Sequence, residues 1–261
     1  MTYEWSDRAA VFDAYYYFAQ NFAEDPASQV LVATVYSEGE LVLWSILTNT
    51  DAEVAPSAFD NYTAIQNTTD TTTIGSIADL VPEFSGATPS GVYSNWFTGS
   101  VSNAYIREFL EFYYQTMLEY VPRIEAAVTH NSTLSMVGNC QPVTQAFVDH
   151  SLQRGGNIMG LEELLEDGPL NFWLFSVTVT EEADQPPVLE LAKELVGRLE
   201  DYATILGGNK GWHYLNYAYV DQDPVAGYGE GNIAKVKAVS NKYDPRGVFQ
   251  ELRHSGFKLP M

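Results

Sequence analysis

Between Leu170 and Thr180 the chain reads Leu-Asn-Phe-Trp-Leu-Phe-Ser-Val-Thr-Val-Thr, and its middle is apolar at both parities. A strand alternates its side chains between two faces, so Phe172-Trp173-Leu174-Phe175-Ser176-Val177 needs cover on at least one face and belongs in the middle of a sheet. The sheet has other strands to draw on. Gln29–Tyr36 and Glu40–Thr50 alternate around the short Ser37-Glu38-Gly39 connection and read as an antiparallel hairpin. Val92–Val101, Thr133–Val143 and Gly211–Tyr219 read as further strands.

Helical periodicity fills the intervals. Asp7–Phe22 carries Ala10, Val11, Ala14, Tyr15, Phe18 and Phe22 at spacings of three and four, and Asp25-Pro26 stops it. Ser102–Val128 predicts a long helix with Ser102 or Asn103 as cap and Pro122 as a kink or an early end. Gln145–Leu152 predicts a short helix that leaves through Arg154-Gly155-Gly156-Asn157. Pro186 or Pro187 opens a helix to about Ile205, and a last helix covers Gly231–Ser240. Asp51–Ser90, rich in Thr, Asn, Ser and Pro, predicts an irregular excursion with brief helices. This order lacks strict strand-helix alternation. It predicts an α+β fold, an antiparallel β-sheet with helices packed on one face, as one unit over residues 1–261.

Charge narrows the partners. Thirty-four acidic against 13 basic residues give a formal charge of -21, which repels phosphate backbones and anionic headgroups. Nucleic acid and membrane are therefore not expected partners, and the absence of a signal-like start or an apolar span predicts a cytoplasmic protein. One cysteine, Cys140, makes no internal disulfide and sits in no nucleophile turn. Asp221-x-Asp223 has no His or Cys beside it, so no metal site is expected. Sequons occur at Asn61, Asn67 and Asn131, a pattern that Asn- and Thr-rich loops produce by chance.

Towards the C-terminus stand Tyr214-Leu215-Asn216-Tyr217-Ala218, Gln222-Asp223-Pro224, Tyr228-Gly229, Asn232, Lys242-Tyr243-Asp244-Pro245 and Val248-Phe249-Gln250, then Ser255-Gly256-Phe257-Lys258-Leu259. In order and spacing these resemble the C-terminal signature of fungal berberine-bridge-enzyme-like FAD-linked oxidases, with Ser255 where the family has glycine. Gln141-Pro142 and Gly155-Gly156-Asn157 are further landmarks of the resemblance. It covers nearly the whole chain but only the family's substrate domain, which implies a ligand-binding unit without the FAD-binding domain and hence without a cofactor of its own. Gly227-Tyr228-Gly229-Glu230-Gly231 lacks the strand-turn-helix setting of a pyrophosphate loop.

In those oxidases the Tyr-x-Asn pair faces flavin and substrate, which makes Tyr214 and Asn216 the leading candidates here. Strand parity puts Trp212, Tyr214 and Asn216 on one face and His213, Leu215 and Tyr217 on the other. Gln141 joins the polar set as a third catalytic candidate. Asn95, Trp96, Trp173 and Trp212 are expected to bind an apolar small-molecule substrate. The expected function is a cofactor-independent cyclase of fungal secondary metabolism, such as a Diels-Alder or hetero-Diels-Alder pericyclase. The alternatives are an oxidoreductase subunit needing a partner flavin domain and a binding protein for a hydrophobic metabolite. Surface left bare by an absent domain points to a homodimer.

Overall fold

The computed structural model describes residues 1–86 and 90–260. In chain order the elements are β1 (Thr2–Tyr3), α1 (Arg8–Gln20), β2 (Ser28–Ser37), β3 (Glu40–Asn49), α2 (Asp60–Thr63), β4 (Asn67–Thr69), α3 (Ile77–Gly86), β5 (Tyr93–Ser102) and α4 (Ile106–Ala127). They continue with β6 (Leu134–Val143), α5 (Gln145–Leu152), α6 (Leu161–Leu164), β7 (Leu170–Val179), α7 (Gln185–Ile205), α8 (Glu230–Tyr243) and α9 (Val248–Glu251). The strands form one antiparallel seven-stranded sheet in the order β4-β1-β3-β2-β6-β7-β5. The fold is the expected α+β arrangement.

Three helices cover one face of the sheet. Val11, Ala14, Tyr15 and Phe18 form the buried stripe of α1; Phe109, Tyr113, Met117, Tyr120 and Ile124 form that of α4; Ala192, Leu195, Val196 and Leu199 form that of α7. These stripes meet Val30, Val32, Met136, Cys140, Trp173, Phe175 and Val177 in one core. Two glycines on this face make room for large rings. A Cβ on Gly99 would lie 2.3 Å from the Trp173 indole, its cross-strand partner, and one on Gly138 would lie 2.6 Å from the Met117 sulfur. The β2–β3 hairpin turns at Glu38 and Gly39, both at positive φ, the conformation a two-residue turn between right-twisted strands requires.

The second face is covered only in part. Val143, Leu170 and Phe172 pack there against Leu161, Leu165, Trp212, Val225 and Tyr228 in a smaller core. Towards the hairpin end the same face carries exposed Val42 and Trp44.

Several sequence expectations need correction. Gly211–Tyr219 is not a strand: it makes turns, with Tyr217 N–H donating to the Tyr214 carbonyl at 2.9 Å. The segment does run beside edge strand β5, but side chains hold it. Trp212 N–H donates to Ser100 Oγ at 3.0 Å, and the Gln222 side-chain amide donates to the Thr98 carbonyl at 2.6 Å while accepting from Thr98 N–H at 3.1 Å. Gln222 thus occupies the edge of β5 where another strand would pair. Pro122 does not shorten α4, which continues to Ala127, and Ser102 caps the preceding turn by accepting from Ala104 N–H. β7 lies between β6 and β5, one strand from the sheet edge, and is buried on both faces because α4 and α7 cover one and the smaller core the other. The excursion contains α2, α3 and the unforeseen edge strand β4; its residues 87–89 lie outside the described residues.

Candidate functional site

On the partly open face, five aromatic rings converge where the 211–219 segment meets the sheet. Phe172 is the hub, with ring centroids 4.9 Å from Tyr214, 5.9 Å from Tyr217 and 6.2 Å from Trp212. Tyr214 and Tyr217 meet edge to face at 5.1 Å, and Trp96 lies 5.4 Å from Tyr217. The turn accounts for this grouping. It returns residue 217 to the side of residue 214, whereas a strand would send the two to opposite faces. Tyr217 was therefore missed by parity reasoning, and its partners make it a member of the patch.

Polar groups rim these rings. Asn216 Nδ2 donates to the Tyr214 hydroxyl at 2.9 Å, and Gln141 Nε2 donates to the Tyr217 hydroxyl at 3.4 Å and to Asn139 Oδ1 at 3.3 Å. Asn216 is exposed, whereas Tyr214, Tyr217 and Gln141 are half-buried. Each phenol in these pairs serves as acceptor, so its own O–H is free to donate to a bound carbonyl or ether oxygen. Trp212 is buried beneath the patch, its indole N–H committed to the Met159 carbonyl at 3.0 Å.

Two candidates fall elsewhere. Trp173 is fully buried on the helix side among Phe109, Tyr113 and Gly99, because its neighbour Phe172 takes the other face. Asn95, also on the helix side, accepts from Gln185 Nε2 at the start of α7 at 3.2 Å. Neither meets Tyr214. His213 turns away from the patch towards Glu200, with Nε2 at 3.4 Å from Oε1. Cys140 is buried, and burial holds its thiol far above the ordinary range, which removes the thiolate a nucleophile needs. Asp221 accepts from Lys193 Nζ at 2.7 Å, and Asp223 accepts from the backbone N–H groups of Val225 and Ala226.

No protein-family model matches the chain. Individual proteins do. The FAD-dependent monooxygenase drtC of Aspergillus calidoustus is 34% identical over 252 residues, covering 93% of this chain and 45% of that protein. The FAD-dependent monooxygenase sdcF of Emericella nidulans is 30% identical over 248 residues, covering 93% of this chain and 50% of its own length. This chain is homologous to fungal FAD-dependent monooxygenases. It spans about half the length of the monooxygenases it matches. A bifunctional solanapyrone synthase of Alternaria solani is 30% identical over 119 residues, covering 46% of this chain and 22% of the synthase. Among solved structures, 6-hydroxy-D-nicotine oxidase of Arthrobacter nicotinovorans superposes with a TM-score of 0.59 at 13% identity, covering 100% of this chain and 53% of the oxidase. Aclacinomycin oxidoreductase gives 0.53 at 14% identity, with 96% of this chain and 53% of its own covered. These two establish the fold alone.

The monooxygenase relatives raise the question of which part of FAD these residues suit. The aromatic patch offers a wall to a planar ring. The glycine-rich stretch 227–231 does not suit the pyrophosphate. The space a Cβ would take on Gly227 is already filled by the Gly211 carbonyl and Trp212, and Gly229 faces the Glu163 carboxylate with Glu230 following it. Carboxylates at that turn repel phosphate.

Proposed function

We propose that this chain is the substrate-binding part of an enzyme of fungal secondary metabolism, whose Phe172–Tyr217 patch holds an apolar, oxygen-bearing small molecule for oxidation by a flavin bound outside the residues described. The observation that carries this reading is the convergence of Trp96, Phe172, Tyr214 and Tyr217 with the Gln141 and Asn216 amides on the one partly open face of the sheet. The similarity to FAD-dependent monooxygenases over 93% of the chain supports it. The rings supply apolar contact area and fix the plane of the ligand, and the phenol donors orient its oxygens. Flavin, when bound, supplies the electron acceptor.

A second reading is non-oxidative ring closure on the same patch, favoured by the donor set itself. Two phenols and two amides can polarise a carbonyl while the rings hold two reacting ends together. The similarity to a bifunctional solanapyrone synthase over 119 residues adds support.

Co-purification separates the readings. Under the first, the chain alone leaves FAD behind on dialysis, and it forms a yellow complex when co-expressed with the part of drtC outside the matched residues. Flavin retained stoichiometrically by the chain alone would overturn the placement of flavin elsewhere, and failure to form the complex would favour ring closure without flavin.

A further inference from the structure

Asn139 is a polar residue in apolar surroundings. On β6, Met136, Gly138 and Cys140 face the helices, which puts Val137, Asn139 and Gln141 on the other face. Across the strands Asn139 pairs with Ala33 of β2 and Leu174 of β7. It is 8% exposed. A buried amide without a partner is unfavourable, and among the described residues the side chain that bonds this one is Gln141, whose Nε2 donates to Asn139 Oδ1 at 3.3 Å.

That bond settles how the Gln141 amide is turned. Gln141 pairs across the strands with Phe172, the hub of the rings. A primary amide carries two N–H donors on one end and acceptor lone pairs on the other. With one N–H committed to Asn139 Oδ1, the second serves the Tyr217 hydroxyl, 3.4 Å away. The phenol oxygen accepts, and its proton is left for a ligand. Turned the other way, Gln141 would offer Oε1, Tyr217 would donate its proton there, and the phenol could only accept from a ligand. Tyr214 has no such brace: Asn216, which donates to its hydroxyl, is exposed and makes no second side-chain bond among the described residues. Both contacts of Gln141 are at the long end for a hydrogen bond, and donation by Tyr217 to a ligand makes its oxygen a better acceptor, which tightens the chain.

We infer that Asn139 is a positioning residue for the patch: by holding the Gln141 amide it fixes Tyr217 as a donor, and so selects ligands that present a carbonyl oxygen at that point over ligands that present a methylene or an N–H there. The inference rests on the reading of the patch as a ligand site and names the chemistry selected in it. A carbonyl receives the Tyr217 proton, whereas an N–H meets it donor to donor.

The probes are xanthone, a neutral planar tricycle with a carbonyl and an ether oxygen, and xanthene, in which a methylene replaces the carbonyl. The native protein is expected to bind xanthone about fivefold more tightly than xanthene, the contribution of one neutral hydrogen bond. Tyr217→Phe is expected to remove that preference. Asn139→Leu and Asn139→Ala are expected to remove it as well, whereas Asn139→Asp, which keeps an acceptor for Gln141, retains it. A merely structural role for Asn139 would weaken both ligands alike, so a native preference in Asn139→Leu and Asn139→Ala would overturn the inference. Gln141→Glu tests the same chain with residue 139 intact: its carboxylate accepts from the Tyr217 hydroxyl, and the preference for xanthone is expected to vanish; a native preference there would also overturn it. Trp96→Ala separates the two claims. If it weakens both ligands and Tyr217→Phe removes the preference while the Asn139 variants keep it, the patch stands and the positioning role falls; if neither Trp96→Ala nor Tyr217→Phe alters the binding of either ligand, both fall.

Discussion

Gly99 and Trp173 face each other across β5 and β7, and the indole occupies the space a side chain at 99 would need. Gly99→Ala is expected to destabilise the protein by about 1–3 kcal/mol through overpacking, seen as a lower urea midpoint. Gly99→Ala with Trp173→Phe should recover part of that loss, whereas additive destabilisation by the two changes would contradict the contact. The same pair explains a misreading. With aromatics at both 172 and 173, sequence alone could not say which ring faces the helices, and only the cross-strand Gly99 and Gly138 mark that side. Tyr214, Asn216 and Gln141 were named from the resemblance and Trp96 as an aromatic on a neighbouring strand, and the structure brings the four together, but naming the adjacent Asn95 with Trp96 shows that strand parity did not select them. Tyr217 was not named, because assigning a strand to 211–219 sent it to the wrong face. A Tyr-x-x-Tyr spacing is the signal a turn reading would have used.

At the scale of elements, the longer helices and strands were read to within a few residues because their buried stripes are strongly periodic, as in α1, α4 and α7, whereas the four-residue α6 and α9 were not foreseen. The two-residue β1 and three-residue β4 were too short to carry a period. The 211–222 segment misled for a different reason, since Ser100 and Gln222 side chains supply bonds that a ladder would take from backbone. Long-range side-chain bonds also fix the helices. Asp184, fully buried before α7, accepts from the backbone N–H groups of Thr129 and His130 after α4 and lies 2.9 Å from His130 Nδ1. Burial pushes its carboxyl up, but the bonds from Thr129, His130 and Ser132 outweigh this and hold it well below the usual carboxylate range. A depressed folded pKa contributes stability that is complete above the unfolded value near 3.9 and is lost as pH falls towards the folded one. Asp184→Asn is therefore expected to lower the Tm at pH 7, with the gap to the native protein narrowing below about pH 4. A gap constant from pH 7 to pH 3 would contradict the assignment.

The molecule as a whole has one face packed under three helices and one face shared between a small core, an aromatic patch and the exposed Val42 and Trp44 at the hairpin end. That division was foreseen in outline, as a sheet with helices on one side, while the contents of the other side depended on a segment whose path the sequence misstated. Among the described residues no helix is long and apolar enough to cross a membrane. The central claim is that ligand binds on the patch side and not in the helix-covered core, and tryptophan reports on both. Trp96 stands at the patch, whereas Trp173 and Trp5 pack on the helix side, Trp5 stacked on Tyr114 of α4 at 4.3 Å. The deciding measurement is a titration with xanthone, a neutral planar tricycle with one carbonyl and one ether oxygen, followed by the indole N–H signals in a nitrogen-15 NMR spectrum. The expected result is a saturating shift of Trp96, with Trp173 and Trp5 unmoved and the Trp96 shift reduced in Tyr217→Phe; saturating shifts at Trp173 and Trp5 with Trp96 still would contradict the account.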